Sequence, residues 1–483
     1  MTLIIYLVLN LALAYLMTIN LALGLLGAVA INAVVFLFLR SRFALPLYII
    51  VAGPSLSITL SQSGILSRLY IGNMLLALLA IIWLAQFVLP ERKSGSKLLS
   101  RGLLIPLLLI NIVGLISIIY SRIYPDPNVP YTYPHSNVSI TIVNLSEMAL
   151  LLGLPLLLII ARKMVRTVRD YKLAFRAFIV AGVLYTLGTI FAAPLGFYSK
   201  KVILGVRRVE VFGLDSSGLG TTLVLFTDLA FGQALYSEGR RRLGWGLLTL
   251  LFAIGVILAF GREAWLELFM SMLVMLVFRT KNWAALLFLL LPIALLFVPG
   301  VSDFFNSSKV YGSDRLKIWA DAITIWLKSP YFGIGAGNYQ FYDWIYGVDK
   351  AGLAHNQYLE VLAEMGVQGL IALLWMLASF GVIAFKSFKG AKTRLSKSLT
   401  ISFVGFYLCF IFGGFFTGIL IPSAAAGGGT AGLIVASYHW LFLGLVITIP
   451  NWEKEAIQEE QLLSPPQLDT LSPLNKVVVS HAE

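Results

Sequence analysis

The sequence is poor in charged residues and has almost no cysteine. Of its 483 residues only 12% are charged and 59% are hydrophobic, whereas soluble domains have about 25% charged residues. This composition excludes an ordinary soluble domain. The single cysteine, Cys409, excludes an intrachain disulfide framework and a cysteine-based metal cluster.

Three sequence patterns are also missing. The chain has no G-x-x-x-x-G-K-[ST] motif, which excludes a P-loop ATPase within this chain. It has no repeat of about 20 to 50 residues, which excludes a solenoid. The carboxylates of the segments predicted below to lie outside the membrane are dispersed and form no D-x-D pair, a pattern consistent with a site that uses neither a metal nor a cofactor.

Long apolar runs fill most of the chain. A membrane-spanning helix needs about 20 mostly apolar residues, and the runs predict an all-α polytopic membrane protein with about 12–14 spans. The stretches lie near 3–19, 21–39, 45–61, 70–89, 103–120, 140–161, 173–193, 216–236, 243–260, 263–278, 284–300, 366–385, 398–420 and 430–449.

The formal net charge of +13 reflects membrane topology rather than nucleic-acid binding. With a cytoplasmic N-terminus, alternation of the spans places 24 of the 36 lysines and arginines on the cytoplasmic side, as the positive-inside rule requires. We therefore expect an inner-membrane protein with both termini in the cytoplasm and no nucleic-acid partner. The first apolar stretch lacks a basic start and a cleavage site, so we expect it to be retained.

The sequence predicts that the chain is divided into four segments. Residues 1–300 are predicted to hold about eleven spans, 301–365 a long extracytoplasmic catalytic loop, 366–449 the last three spans, and 450–483 a cytoplasmic tail. The tail has too little apolar surface to pack, so we expect disorder. Two shorter outer loops are predicted at about 121–139 and 196–215.

The long outer loop is the best candidate for a site. Its first part is amphipathic, with Asp314 as a plausible N-cap, Pro330 after its end, and an aromatic face that we expect in the headgroup region of the membrane. The apolar positions are Ile318, Trp319, Ala322, Ile325 and Trp326. Three glycines at 333, 335 and 337 then predict a turn that brings backbone close to a ligand. His355 and Asn356 open the next spanning helix.

The residues from His355 onward resemble a known family. His355, Asn356, nine residues, Gly366, two residues and Gly369 are similar to the H-[N/S/Q]-x9-G-x-x-G pattern of the bacterial O-antigen ligases and O-antigen polymerases. The resemblance extends upstream to an R…W…P-x-G-x-G run formed by Arg315, Trp319, Pro330, Gly333 and Gly335. The tripeptide Gly261-Arg262-Glu263 is similar to the S-R-[G/A] element of the family, with glycine in place of serine.

The resemblance implies a glycosyltransferase with a fold similar to the C-type glycosyltransferases. Its expected donor is a glycan linked to polyprenyl (undecaprenyl) diphosphate, and its expected acceptor is a sugar hydroxyl such as that of the lipid A core of lipopolysaccharide. The implied route is inverting and metal-independent. Membrane lipids are further expected partners, and the oligomeric state is open.

Residue roles follow from this chemistry. A hydroxyl that attacks an anomeric carbon loses a proton, and a histidine with a pKa near 6.5 suits a general base at neutral pH, so His355 is the candidate base. Arginines bind a leaving diphosphate by bidentate hydrogen bonds. Arg262 and Arg315 are the first candidates, followed by Arg207 and Arg208.

Several alternatives remain open at the sequence level. Asn356 either caps the helix or binds sugar, and Gly366 and Gly369 are expected to let helices approach closely. The intramembrane carboxylates Glu147, Asp228 and Glu267 have no assigned role. A polysaccharide polymerase of the same family is the second functional candidate; a protein O-oligosaccharyltransferase and a lipid-linked glycan flippase are more remote.

Overall fold

The structure is a computed structural model. It describes residues 41–53, 71–88, 99–134, 138–196, 198–203, 206–212, 214–284, 315–348, 352–416, 418, 421–423 and 431–463. The predicted spans at 3–19 and 21–39, and the span at 284–300 apart from residue 284, lie outside the described residues, so the total of 12–14 spans stays a prediction.

The first half of the described chain consists of helices and two short hairpins. In chain order the elements are α1 (Ala44–Ala52), α2 (Ile71–Val88), α3 (Arg101–Ile123), β1 (Thr132–Tyr133), β2 (Val138–Ser139), α4 (Ile140–Met164), α5 (Val168–Ile190), α6 (Ala192–Leu195), β3 (Tyr198–Ile203), β4 (Val206–Val209), α7 (Ser216–Tyr236), α8 (Gly239–Leu258) and α9 (Arg262–Thr280). A 3₁₀ turn, Ser41–Phe43, precedes α1.

The second half is helical in the described residues. Its elements are α10 (Arg315–Trp326), α11 (Tyr339–Tyr346), α12 (Gln357–Gly390), α13 (Arg394–Gly413), α14 (Ala431–Ile447) and α15 (Ile449–Leu463). Seven described helices are long and apolar enough to cross a membrane, namely α3, α4, α5, α7, α8, α12 and α13. The predicted class of all-α polytopic membrane protein is confirmed.

Polar side chains mark where several spans begin. Thr167 and Asp170 form a capping box at α5, since Thr167 accepts from the Asp170 amide and Asp170 accepts from the Thr167 amide. Asp215 accepts from the Gly218 amide at 2.9 Å to cap α7, and Thr393 caps α13. These caps satisfy amides that the helices leave unpaired at their first turn.

Aromatic rings fill the centre of the bundle, while leucines cover its outside. Tyr438 of α14 packs its ring against Phe178, Tyr185 and Phe226 of α5 and α7. By contrast α8 exposes Leu243, Leu247, Leu250 and Ile257. A face of this kind is favourable in lipid and unfavourable in water.

The bundle has two ends, which are named here by the elements that lie there. Helix α12 runs from Gln357 to Gly390, and α13 returns, so that the Gln357 amide donates to the Gly414 carbonyl at 2.8 Å. This is the His355 end. At the other end, called the α15 end, helix α15 contacts the starts of α5 and α13.

Helix α15 differs from the disordered tail predicted from residue 450. The buried Trp452 stacks on Tyr171 of α5 at 4.6 Å between ring centroids. The Glu453 carboxylate accepts from the amides of Lys392 and Thr393 at 2.8 and 3.1 Å. Residues 449–463 form a helix whose carboxylates bind helix starts that are distant in sequence.

The amphipathic helix predicted after Asp314 is present as α10, but its apolar face has another partner. Ala322 and Ile325 are buried in a small core with residues of α11 and the start of α12, and Ile318 is buried as well. The expectation that this face lies in the headgroup region is therefore wrong for these three positions, because protein covers them.

Candidate active site at the start of α12

His355 lies immediately before α12 and has an unusual backbone conformation. Its φ is +47°, in the left-handed region, and its side chain is exposed. On one side of it the Ala354 amide donates to Glu360 Oε2 at 3.3 Å. On the other side Asn356 Oδ1 accepts from the amides of Tyr358 and Leu359, both at 3.1 Å. Asn356 is thus an N-cap, and the two flanking contacts fix His355 at the helix start.

Arg315 is brought to His355 by the first turn of α10. Its Nη1 donates to the Phe416 carbonyl at 2.9 Å and lies 3.5 Å from the His355 carbonyl. Its guanidinium carbon also lies 5.5 Å from the centre of the Phe416 ring. Two of the residues that the motif singles out, 40 positions apart in sequence, therefore share one site.

The end of α13 is the platform under both residues. Besides the Gln357–Gly414 bond, the Tyr358 hydroxyl donates to the Ile411 carbonyl at 2.7 Å, and the Tyr358 and Phe415 rings lie 4.7 Å apart. A Cβ on Gly414 would lie 3.1 Å from the Tyr358 ring. The start of α12 is locked to this platform, so His355 and Arg315 have one common support.

The glycine-rich turn crosses a break inside α12. Gly366 has φ +68° and ψ −170°, so a short helix of residues 357–365 is separated from the longer part of α12. The turn runs across this break, with Ile334 and Gly335 amides donating to the Ala363 and Glu364 carbonyls at 3.0 Å, and the Val367 amide donating to the Pro330 carbonyl at 2.9 Å.

The two motif glycines have different roles from the one expected. A Cβ on Gly366 would overlap the Tyr331 carbonyl, and its positive φ strains any other residue. A Cβ on Gly369 would overlap the side chain of Met365, the last residue before the break. The expectation that both let neighbouring helices approach is corrected: both serve the break in α12 and the turn that crosses it.

Arg262 lies at the same end of the bundle. It is the first residue of α9, after Gly261, where a Cβ would come within 2.7 Å of the Ser216 carbonyl. Glu267, five residues further along α9, lies against Gly413 at the end of α13. Since a helix rises about 1.5 Å per residue, the five residues between Arg262 and Glu267 place Arg262 less than about two helical turns along α9 from Gly413.

Comparison with known proteins adds to this geometry. Residues 247–374 match the family described as O-antigen ligase. This segment belongs to the O-antigen ligase family. The segment runs from α8 into α12 and contains Arg262, Arg315, His355 and both motif glycines. The family match indicates a glycosyltransferase-type enzyme, and the spanning helices indicate a multi-pass membrane protein. No curated protein matches the chain.

Arg207 and Arg208 lie outside the O-antigen ligase segment. Their backbone forms part of β4, which pairs with β3 in an antiparallel hairpin that places Arg207 opposite Val202. Their side chains are outside the described residues, so the structure does not place these guanidinium groups relative to His355. The hairpin itself was not predicted, because the segment 196–215 was interpreted as an irregular loop.

Polar residues that sequence reasoning missed hold the O-antigen ligase segment to the earlier helices. Asn144 Nδ2 of α4 donates to Asn338 Oδ1 at 2.7 Å and to the Ala336 carbonyl at 2.6 Å. The Tyr339 amide donates to Glu364 Oε1 at 3.0 Å. The available clue was that Asn144 and Glu147 are polar residues inside an apolar span; Glu147 packs against Gly337.

Tyr342 and Tyr346 of α11 remain neutral phenols. The Tyr346 hydroxyl donates to Asp126 Oδ2 at 2.6 Å. Burial, with a smaller contribution from the Asp126 charge, raises the pKa of Tyr342 to about 12. These phenols do not titrate near neutral pH, and Tyr346 joins α11 to the segment between α3 and β1.

The other intramembrane carboxylates, Asp228 and Glu267, are buried between packed helices. Asp228 Oδ1 accepts from Ser271 Oγ at 2.7 Å between α7 and α9. The Cys409 thiol donates to the backbone carbonyl of Glu267 at 3.0 Å. These contacts join α7, α9 and α13 in the interior of the bundle.

Proposed function

We propose that the protein is an O-antigen ligase that transfers a glycan from a polyprenyl diphosphate carrier to a sugar hydroxyl of the lipid A core. The observation that carries this proposal is the contact of Arg315 with the His355 carbonyl on the α13 platform, inside the O-antigen ligase segment. It supports one site that combines a base with a cation for the leaving group.

The proposed reaction is a single inverting displacement. The acceptor hydroxyl oxygen bonds to the anomeric carbon of the donor while the bond from that carbon to the diphosphate oxygen breaks. The hydroxyl proton passes to the His355 imidazole, and the polyprenyl diphosphate leaves with the bonding electron pair. An imidazole with an ordinary pKa near 6.5 is a competent base at neutral pH.

The arginines have the complementary role. The leaving diphosphate gains negative charge, which guanidinium groups stabilise by charge-assisted, bidentate hydrogen bonds. Arg315 is supported by its position beside His355, and Arg262 by its place at the same end of the bundle. Arg207 and Arg208 are proposed as further contacts from the hairpin. This proposed set works without a metal ion or a cofactor.

The proposed location is the bacterial inner membrane, with the His355 end on the periplasmic face. The excess of lysine and arginine in the loops at the α15 end supports this orientation. The carrier's polyprenyl tail then stays in the bilayer while its diphosphate reaches the arginines near the surface. Both termini are proposed to be cytoplasmic.

The test is a transfer assay with purified protein, a lipid-linked oligosaccharide donor and a lipid A core acceptor. The variant His355→Asn keeps a residue that tolerates the left-handed backbone, and we expect its rate to fall at least about 100-fold. Arg315→Lys keeps the charge but loses the planar fork, and we expect a fall of about tenfold or more.

The matched control is His135→Asn, which removes a histidine of the first predicted outer loop and should keep full transfer. Full transfer by His355→Asn would refute the proposed base. A lipid-linked repeat that accepts the glycan faster than the lipid A core would reassign the protein as the polymerase. Transfer to protein, or translocation without transfer, would support the two more remote candidates.

A further inference from the structure

A basic cavity lies at the α15 end, opposite the proposed active site. It has a volume of about 370 Å³ and is lined by Arg42, Phe43, Arg169, Lys172, Leu173, Arg176 and Glu459. Four of its residues lie on α5 at positions 169, 172, 173 and 176, a spacing that places them on one face of the helix. Arg42 comes from the turn before α1, and Glu459 from α15.

The charges of this cavity are not balanced. Four cations face one carboxylate, and that carboxylate, Glu459, already pairs with Lys172 at 2.5 Å. Within the part of the chain that the structure describes, Arg42, Arg169 and Arg176 have no salt-bridge partner. Cations held together without counter-charges repel one another, and an anion bound among them removes that repulsion.

A neighbouring cavity shows that the imbalance is local. This second cavity, of about 620 Å³, shares Lys172 and Glu459 with the first. Its cations, Lys172, Arg241 and Arg394, are matched by three carboxylates, and Arg394 pairs with Glu238 at 3.1 Å. The charges of the larger cavity are therefore balanced, whereas the smaller cavity has an excess of three positive charges.

The position of the cavity indicates the chemistry of its ligand. It lies where α5 begins, at the end of a spanning helix, which is the depth of lipid headgroups. Three of its four cations are arginines, whose guanidinium groups match phosphate oxygens bidentately. Phe43 and Leu173 add apolar contact at the rim, as a molecule with both a phosphate and an acyl chain requires.

We propose that this cavity binds a phosphate-bearing anion, with the headgroup of an anionic phospholipid as its source. Glu459 forms its ion pair with Lys172 when no phosphate is bound. The bound phosphate replaces Glu459 as the partner of Lys172. The site is independent of glycan transfer, so its test requires no donor or acceptor.

The test measures lipid binding to the full chain in detergent micelles by native mass spectrometry. Phosphatidylglycerol is titrated against phosphatidylcholine, and inorganic pyrophosphate is added as a soluble competitor. We expect saturable binding of phosphatidylglycerol in preference to phosphatidylcholine. Loss of this binding on addition of pyrophosphate would retain the phosphate site but assign it a soluble ligand. No preference between the two lipids, together with no binding of pyrophosphate, would overturn the proposal.

The variant R42Q/R169Q/R176Q should weaken phosphatidylglycerol binding by at least about tenfold, and R176Q alone by about fivefold. The matched control K386Q/K389Q/R240Q removes three cations of the same end that do not line the cavity, and should change binding less than about twofold. E459Q frees Lys172 and should tighten binding by about threefold. Equal losses in the triple variant and its control, or weaker binding by E459Q, would overturn the proposal.

Discussion

The His355 end and the α15 end of the bundle are joined by different kinds of contact. At the His355 end, backbone groups of a glycine-rich turn bond to backbone groups of α12 across the break at Gly366. At the α15 end, side-chain carboxylates of one helix bond to the first amides of two others. The backbone contacts at the His355 end require particular φ values at the glycines. The carboxylate caps at the α15 end require only a side chain long enough to reach the amides.

The largest expected effect comes from Gly366→Ala. A Cβ there overlaps the Tyr331 carbonyl, and alanine at φ +68° and ψ −170°, a region that essentially only glycine adopts, costs about 1–3 kcal/mol before that overlap is relieved. We expect a loss of about 2–4 kcal/mol in the free energy of unfolding, read as a lower thermal midpoint in detergent, together with loss of transfer.

Gly246→Ala is the control for this prediction. Gly246 lies in α8 with open space around its Cβ position, so alanine should be neutral or stabilise the helix by up to about 1 kcal/mol. Equal destabilisation by both variants would show that the break at Gly366 has no special cost.

The next effect is expected at the α15 end. Glu453 Oε1 accepts from Ser396 Oγ as well as from two amides, so Glu453→Ala leaves several donors unpaired. We expect a loss of about 1–3 kcal/mol. The neighbouring Lys454 is exposed, and Lys454→Ala should stay within about 0.5 kcal/mol of the parent. A thermal midpoint of Glu453→Ala as high as that of the control would contradict the capping role.

The smallest effect is expected from Asn356, whose side chain caps α12 beside the proposed base. Asn356→Ala should cost about 1 kcal/mol, and Asn356→Ser should restore most of it because serine also caps. Transfer rates measured on both variants separate two roles. If Asn356 acts only as a cap, serine restores transfer with stability; if serine restores stability but not transfer, Asn356 also contacts the sugar.

The same difference between the two ends explains what the sequence could predict. The start of α12 after Asn356 and the apolar spacing of Ile318, Ala322 and Ile325 in α10 were predictable, because local patterns determine them. The α15 end was not. Helix α15 depends on partners near residues 168 and 393, and glutamates that cap distant helices resemble the solvated glutamates of a disordered tail.

Within the proposed site, the motif identifies residues by their spacing but does not predict their contacts. Gly366 was identified from its spacing, but small residues in spans usually pack against helices, so its left-handed φ was not foreseen. The contact of Arg315 with the Phe416 carbonyl was also out of reach, because it joins α10 to the end of α13 across 101 residues. The caps and turns at this end depend on residues that are close in sequence, whereas the contacts between them join residues that are distant in sequence.

The left-handed backbone of His355 has one more consequence. A non-glycine residue in that region stores strain of about 1–3 kcal/mol, which the surrounding structure must hold. Glycine at this position would release the strain while removing the imidazole, so His355→Gly should unfold at a higher temperature than the parent and transfer nothing. Selection at this position would then favour activity at the expense of stability.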